Sequence, residues 1–112
     1  MINSRDKLRK AYPEIAKAYE RIQEEQYELF AGKMMDYGKG NISVGTNLET
    51  EEEVHVAMTG LWFRINDKIN RLKQLVLLRK DANVKSESIK DTFQDLSIYG
   101  IIAQIVGNGK WK

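Results

Sequence analysis

The chain has 112 residues, with 18 Lys and Arg against 16 Asp and Glu, one His and no Cys, for a formal net charge of +2. Without Cys there is no disulfide, thiolate zinc site or cysteine nucleophile, and the near balance of charge argues against a nucleic-acid partner, which would show a larger basic excess on one face. No stretch approaches the ~20 apolar residues of a membrane span and the N-terminal segment carries no signal-peptide apolar run, so the expectation is a soluble cytoplasmic protein forming one domain over residues 1–112.

A single proline, few alternating β-type runs and several segments of 3.6-residue period predict an all-α protein. A short basic helix or arm comes first. Pro13 then suits the first turn of a long helix reaching about Met35 and carrying Tyr12, Ile15, Tyr19, Ile22, Leu29 and Phe30. Residues 36–47 are rich in glycine and turn formers and read as a loop. A second helical region starts near Thr50, where Thr50 and Glu53 have capping-box spacing. Its expected core stripe is Met58, Leu61, Ile65, Ile69, Leu72 and Val76, with Gly60 a candidate break. Residues 79–85 read as a connector, Ser86 as the N-cap of the last helix, and Gly107-Asn108-Gly109 as its end.

In that last helix Ile89, Phe93, Leu96, Gly100 and Ala103 share one face, the expected core stripe. Glu87, Asp91 and Asp95 lie nearly opposite at four-residue spacing, and their line continues into Ile98, Ile102 and Ile105. The second half is therefore expected to be buried on both sides. Three to four main helices make a thin core, and surplus apolar surface (Trp62, Phe63, Ile98 and Ile102 among it) predicts a helical bundle completed by a homodimer or larger oligomer.

Stacked carboxylates repel one another, so solvent, basic partners or a cation should offset them. Glu87, Asp91 and Asp95 form an oxygen-only surface of the kind Mg²⁺ shares with a substrate phosphate. A solvated face paired to Lys85 and Lys90 accounts for the same spacing. Arg64, Asp67, Lys68 and Arg71 cluster on one side of the second helix. The cations there could hold phosphate oxygens and Asp67 could add a fourth carboxylate to the metal, unless the four only pair within the helix. The segment from Lys33 through Asp36 and Tyr37 to Gly40 could close over a nucleotide, with Tyr37 on the base and Lys33 or Lys39 on phosphate. It is no P-loop, and an ordinary helix end explains it equally. Glu25 and Glu28 have the Glu-x-x-Glu spacing of metal-dependent helical hydrolases, as a solvated face also would. His55 gives no support for a Ser-His-Asp arrangement.

In order, Lys33-x-x-Asp36-Tyr37-Gly38, the run Arg64-Ile65-Asn66-Asp67-Lys68-Ile69-Asn70-Arg71-Leu72, and Glu87 through Leu96 with Tyr99 and Ile101-Ile102-Ala103 resemble the phage and bacterial nucleotide modification associated domain family. The resemblance spans residues 26–106 and leaves residues 1–25 outside. It implies a phage-type nucleotide-binding protein in the cytoplasm of the host cell. The chain is also similar in style to the MazG-like all-α nucleotide pyrophosphohydrolases, though its last-helix acids are four apart and Glu25 and Glu28 lie far upstream.

Two functional expectations follow. In the first, Glu87, Asp91 and Asp95, with Asp67, hold Mg²⁺ as the catalytic centre of a nucleotide (pyro)phosphohydrolase. Arg64, Lys68 and Arg71 meet the phosphates, while Lys33, Asp36 and Tyr37 lie at the base and ribose. In the second, a non-catalytic oligomer sequesters a nucleotide-derived signal of host immunity, with basic and aromatic groups and no need of metal. A structural interaction module is a third reading.

Overall fold

A computed structural model describes residues 3–83 and 88–112. The protein is all-α: 78% of the chain is helical, with five α-helices and no strand among the described residues. It divides into two compact units, one up to Asp36 and one from Tyr37 to Lys112.

The first unit holds helix α1 (Ser4–Ala11) and all but the last residue of helix α2 (Pro13–Tyr37). Asn3 caps α1 by accepting the Asp6 N–H at 2.9 Å. Pro13 forces the break between the helices, because the residue before a proline is driven out of the α region. Tyr12 accordingly sits at φ −138°, ψ 69°, and its carbonyl accepts the Ala16 N–H at 3.0 Å to start α2. Arg9 bridges the two helices, 2.8 Å from Glu20 and 3.3 Å from Asp6. These carboxylates, Glu20 above all, raise its pKa further above the ordinary arginine value. Among the described residues of this unit, Ala16 alone is buried.

The second unit opens at Tyr37 and Gly38, the latter in the left-handed region at φ +72°. The stretch read as a loop contains a one-turn helix, α3 (Gly40–Ser43), which buries Ile42 and Ser43. Helix α4 (Glu51–Leu72) begins as expected, with the Thr50 hydroxyl accepting the Glu53 N–H. The Glu53 carboxylate reaches back to the Glu49 N–H at 2.9 Å, one residue before the cap. Gly60 does not break this helix, whose own hydrogen bonds carry it through. It ends in a wide π-helical turn, Lys73–Leu77, which places Leu75 in the core.

Helix α5 (Ile89–Gly107) packs along α4, and α3 packs on α4 as well. Its N-cap is Ser88, two residues after the serine expected for the role; Ser86 lies outside the described residues, as do Val84, Lys85 and Glu87. At the other end Gly109 takes φ +71°. The Lys110 N–H then meets the Ile105 carbonyl, and the Gly109 N–H meets that of Val106, a Schellman closure. Trp111 folds back from there, and its Nε1–H donates to the Lys39 carbonyl at 3.0 Å.

The core of this unit is Ile42, Ala57, Leu61, Leu75, Ile98, Ile102, Val106 and Trp111. That corrects the expected stripe on α5. Ile89 and Phe93 are 43% and 54% exposed, while Thr92, Ile98, Ile102 and Val106 are buried. The helix turns the line of Asp91, Asp95, Ile98 and Ile102 inward, because that line is apolar for its last three turns and meets α4 there. Ile98 and Ile102 are therefore not surplus surface; Trp62 and Phe63 are, both exposed and in edge-to-face contact at 5.2 Å. On α4, Leu61 is buried and Met58, Ile65 and Leu72 are half-buried, but Ile69 and Val76 are exposed, with Ala57 and Leu75 taking their places.

Candidate functional site at the α4–α5 interface

Arg64 and Lys68 stand one turn apart on α4, on the side that packs against the rest of the unit, and both are half-buried. One terminal nitrogen of the Arg64 guanidinium donates to the Asn41 backbone carbonyl at 2.9 Å and to its side-chain oxygen at 3.1 Å. The guanidinium carbon lies 6.0 Å from the centre of the Tyr99 ring on α5, at the outer limit of a cation–π contact. Among the described residues both oxygens that hold Arg64 are neutral, so they orient the cation without cancelling its charge. Lys68 is different: its Nζ lies 3.0 Å from Asp95 Oδ2, with both side chains about three-quarters covered. Arg71 is half-buried on the following turn.

The α5 carboxylates have distinct positions. Asp91 is engaged in the helix cap. Its Oδ2 accepts the Ser88 hydroxyl at 2.6 Å and the Ser88 N–H at 3.2 Å, while the Asp91 N–H returns to Ser88 Oγ. The Ser88 hydroxyl, then its N–H, hold the Asp91 pKa below the ordinary carboxylate value, with Lys90 adding to the effect. The Ser88 carbonyl accepts both the N–H and the hydroxyl of Thr92, the most deeply buried side chain of the helix. Asp95 serves Lys68, and Glu87 lies outside the described residues. Asp67 is exposed on α4.

A Mg²⁺ ion needs several oxygens converging on one point. Among the described residues no group of three His, Asp or Glu side chains does so. Asp95 meets Lys68 through Oδ2, and Asp91 holds its cap through Oδ2.

The remaining residues singled out lie on α2, apart from His55 on α4. Lys33 and Asp36 are exposed in the first unit, and Tyr37, 70% exposed, opens the second. Glu25 meets Arg21 at 3.8 Å, an ordinary pair within one helix, and His55 is exposed. The structure thus brings together Arg64, Lys68 and Asp95, and adds two groups that spacing did not single out. Tyr99 follows Asp95 by one turn, a spacing that could have flagged it. Asn41 gave no such signal, because turn formers crowd its segment.

Comparison with protein-family models, with curated proteins and with solved structures gives no match. The resemblance to the nucleotide modification associated domain family rests on the residues quoted for it.

Proposed function

We propose that this protein binds a phosphate-bearing nucleotide without cleaving it, through the cationic face of α4. The observation that carries this reading is Arg64, a half-buried guanidinium oriented by two neutral oxygens of Asn41 beside the Tyr99 ring. One terminal nitrogen of the guanidinium is committed to Asn41. The Nε–H and the second terminal nitrogen remain as charged donors that can meet phosphate oxygens. Lys68, one turn on, adds a second charge when an anionic ligand draws it from Asp95. Tyr99 supplies an aromatic edge for a base or ribose. Arg64, Lys68 and Tyr99 would make these contacts without a metal. In a hydrolase the same phosphate contacts would serve, with Asp67, Glu87, Asp91 and Asp95 around Mg²⁺. A nucleotide-derived signal of host immunity is the ligand class that suits an intact-binding protein of the phage type implied by the resemblance.

The test is calorimetric titration with mono-, di- and triphosphates and with cyclic dinucleotides, with and without Mg²⁺, followed by chromatography of the recovered ligand. The expected result is metal-independent binding, an intact ligand, and a loss of affinity on the order of 10–100-fold in Arg64→Ala, the scale of one charge-assisted phosphate contact. Cleavage dependent on Mg²⁺ would turn the assignment to a hydrolase. No binding across the panel, or unchanged affinity in Arg64→Ala, would overturn the site.

A further inference from the structure

We propose that Asp95 makes this site selective for charge, restricting it to nucleotides that carry more than one phosphate group. The inference rests on the reading of Arg64 as a phosphate contact and adds the class of ligand.

Two neighbouring rungs between α4 and α5 carry it. In one, the Arg64 guanidinium carbon lies 6.0 Å from the centre of the Tyr99 ring. In the other, Lys68 Nζ lies 3.0 Å from Asp95 Oδ2. Residue numbers rise along α4 as they fall along α5, so the helices run antiparallel here. The rungs are one turn apart, about 6 Å along the axis. The two cations stand in line, yet they are held differently. The oxygens that hold Arg64 are the neutral ones of Asn41, whereas Lys68 already faces an anion.

That anion is the fixed member of its pair. Thr92 and Ile98, three residues to either side of Asp95, are buried, which sets this face of α5 inward, and the aspartate side chain is short. Lys68 reaches across on a flexible four-carbon stem, so the cation is the partner that can move. With 21% of the Lys68 side chain and 25% of the Asp95 side chain exposed, water and salt screen the pair less than they would on an open surface.

A phosphate arriving at Lys68 either takes it from Asp95 or lies beside the carboxylate. The first leaves a largely covered carboxylate without this cation, and the second places two like charges together. Both oppose binding, which makes Asp95 an internal competitor for Lys68. A ligand with one phosphate meets Arg64 and leaves the Lys68 pair closed. A second phosphate one turn away offsets the opening of that pair by meeting Lys68 itself. A nucleoside 5′-triphosphate and a cyclic dinucleotide share this chemistry of two separated anionic groups.

The test is calorimetric titration of the full chain, without Mg²⁺, with AMP, ATP, cyclic di-AMP and inorganic tripolyphosphate. Asp95→Asn keeps the shape of the side chain and removes its charge. It should tighten ATP and tripolyphosphate on the order of 5–10-fold, the scale of the ion pair that no longer competes, and AMP by less than about 2-fold. Lys68→Met should weaken ATP more than AMP, and in its background Asp95→Asn should change ATP affinity by less than about 2-fold. Tightening of cyclic di-AMP but not of ATP would assign the paired phosphates to a ring, and the reverse to a linear chain; both keep the proposal. Equal gains for AMP and ATP, a gain that persists in Lys68→Met, unchanged or weaker ATP binding in Asp95→Asn, or loss of its helical circular dichroism would each overturn it. If ATP binding still weakens in Arg64→Ala, those results remove the charge selection alone. If none of the four probes binds, or Arg64→Ala changes nothing, the phosphate site falls and this inference with it.

Discussion

Trp111 offers the sharpest test of how the second unit holds together. It is 5% exposed, and its indole N–H donates to the Lys39 carbonyl 72 residues earlier in the chain. Truncation to Ala removes a side chain that buries roughly 200 Å², which at about 25 cal/mol per Å² corresponds to roughly 5 kcal/mol before relaxation. Measured costs for truncating buried aromatics run about 3–5 kcal/mol, a large share of a small domain's total of about 5–15 kcal/mol. Trp111→Phe should behave differently. It keeps most of the buried ring and loses mainly one hydrogen bond, worth about 1 kcal/mol net. The Lys39 carbonyl does not become an orphan, because it also accepts the Ile42 and Ser43 N–H groups. Urea unfolding followed by far-ultraviolet circular dichroism would give both values, and Trp111 fluorescence in a Trp62→Phe background would report the local transition. A cost for Trp111→Ala below about 1 kcal/mol, or equal costs for Ala and Phe, would refute the assignment of Trp111 to the core.

Two further outcomes follow from α5. Ser88→Ala should destabilise the unit by about 1 kcal/mol through loss of the N-cap, read from the urea midpoint. Because Ser88 lowers the Asp91 pKa in the folded chain, the unfolded chain binds more protons in acid. The contribution is thus fully present above the ordinary carboxylate value and lost as pH falls through the depressed folded value. Ser88→Ala should flatten that acidic limb, and an unaltered profile would contradict the capping role. The Lys68–Asp95 pair, partly covered at 3.0 Å, should show a coupling of about 1 kcal/mol in a double-mutant cycle with Lys68→Met and Asp95→Asn. A coupling indistinguishable from zero would mean that Asp95 is available to other partners.

The sequence carried the element boundaries well where local chemistry decides them. Pro13 had to start a helix, Thr50 had to cap one, and Gly109 had to end one, because each follows from backbone sterics or from a single hydrogen bond. The facing of α5 was harder to read. Apolar residues lie around most of its circumference, so Ile89 and Phe93 advertise a core as strongly as Ile98 and Ile102 do. Only the packing against α4 selects between them. The same inversion explains the acidic line. Asp91 and Asp95 looked like a solvent-facing or metal-facing stripe, yet they occupy the packed side and find Ser88 and Lys68 there. Arg64 and Lys68 were legible as a cationic pair from their spacing, but the Asn41 contact spans 23 residues of sequence and needs α3 to exist.

The wide turn at Lys73–Leu77 has a consequence for the length of this chain. A π-helical turn accommodates one residue more than an α-helical turn of the same rise, and it stands where α4 gives way to an irregular connector. Deleting one residue between Lys73 and Leu77 would let α4 continue in α-geometry, with the offset taken up by the connector after Leu78. The same deletion in the middle of α4 would rotate everything downstream by about 100° and turn Leu61 or Ile65 away from α5. A residue lost in this turn leaves the α4 residues ahead of it, Arg64 among them, in register, and its cost falls on the buried Leu75.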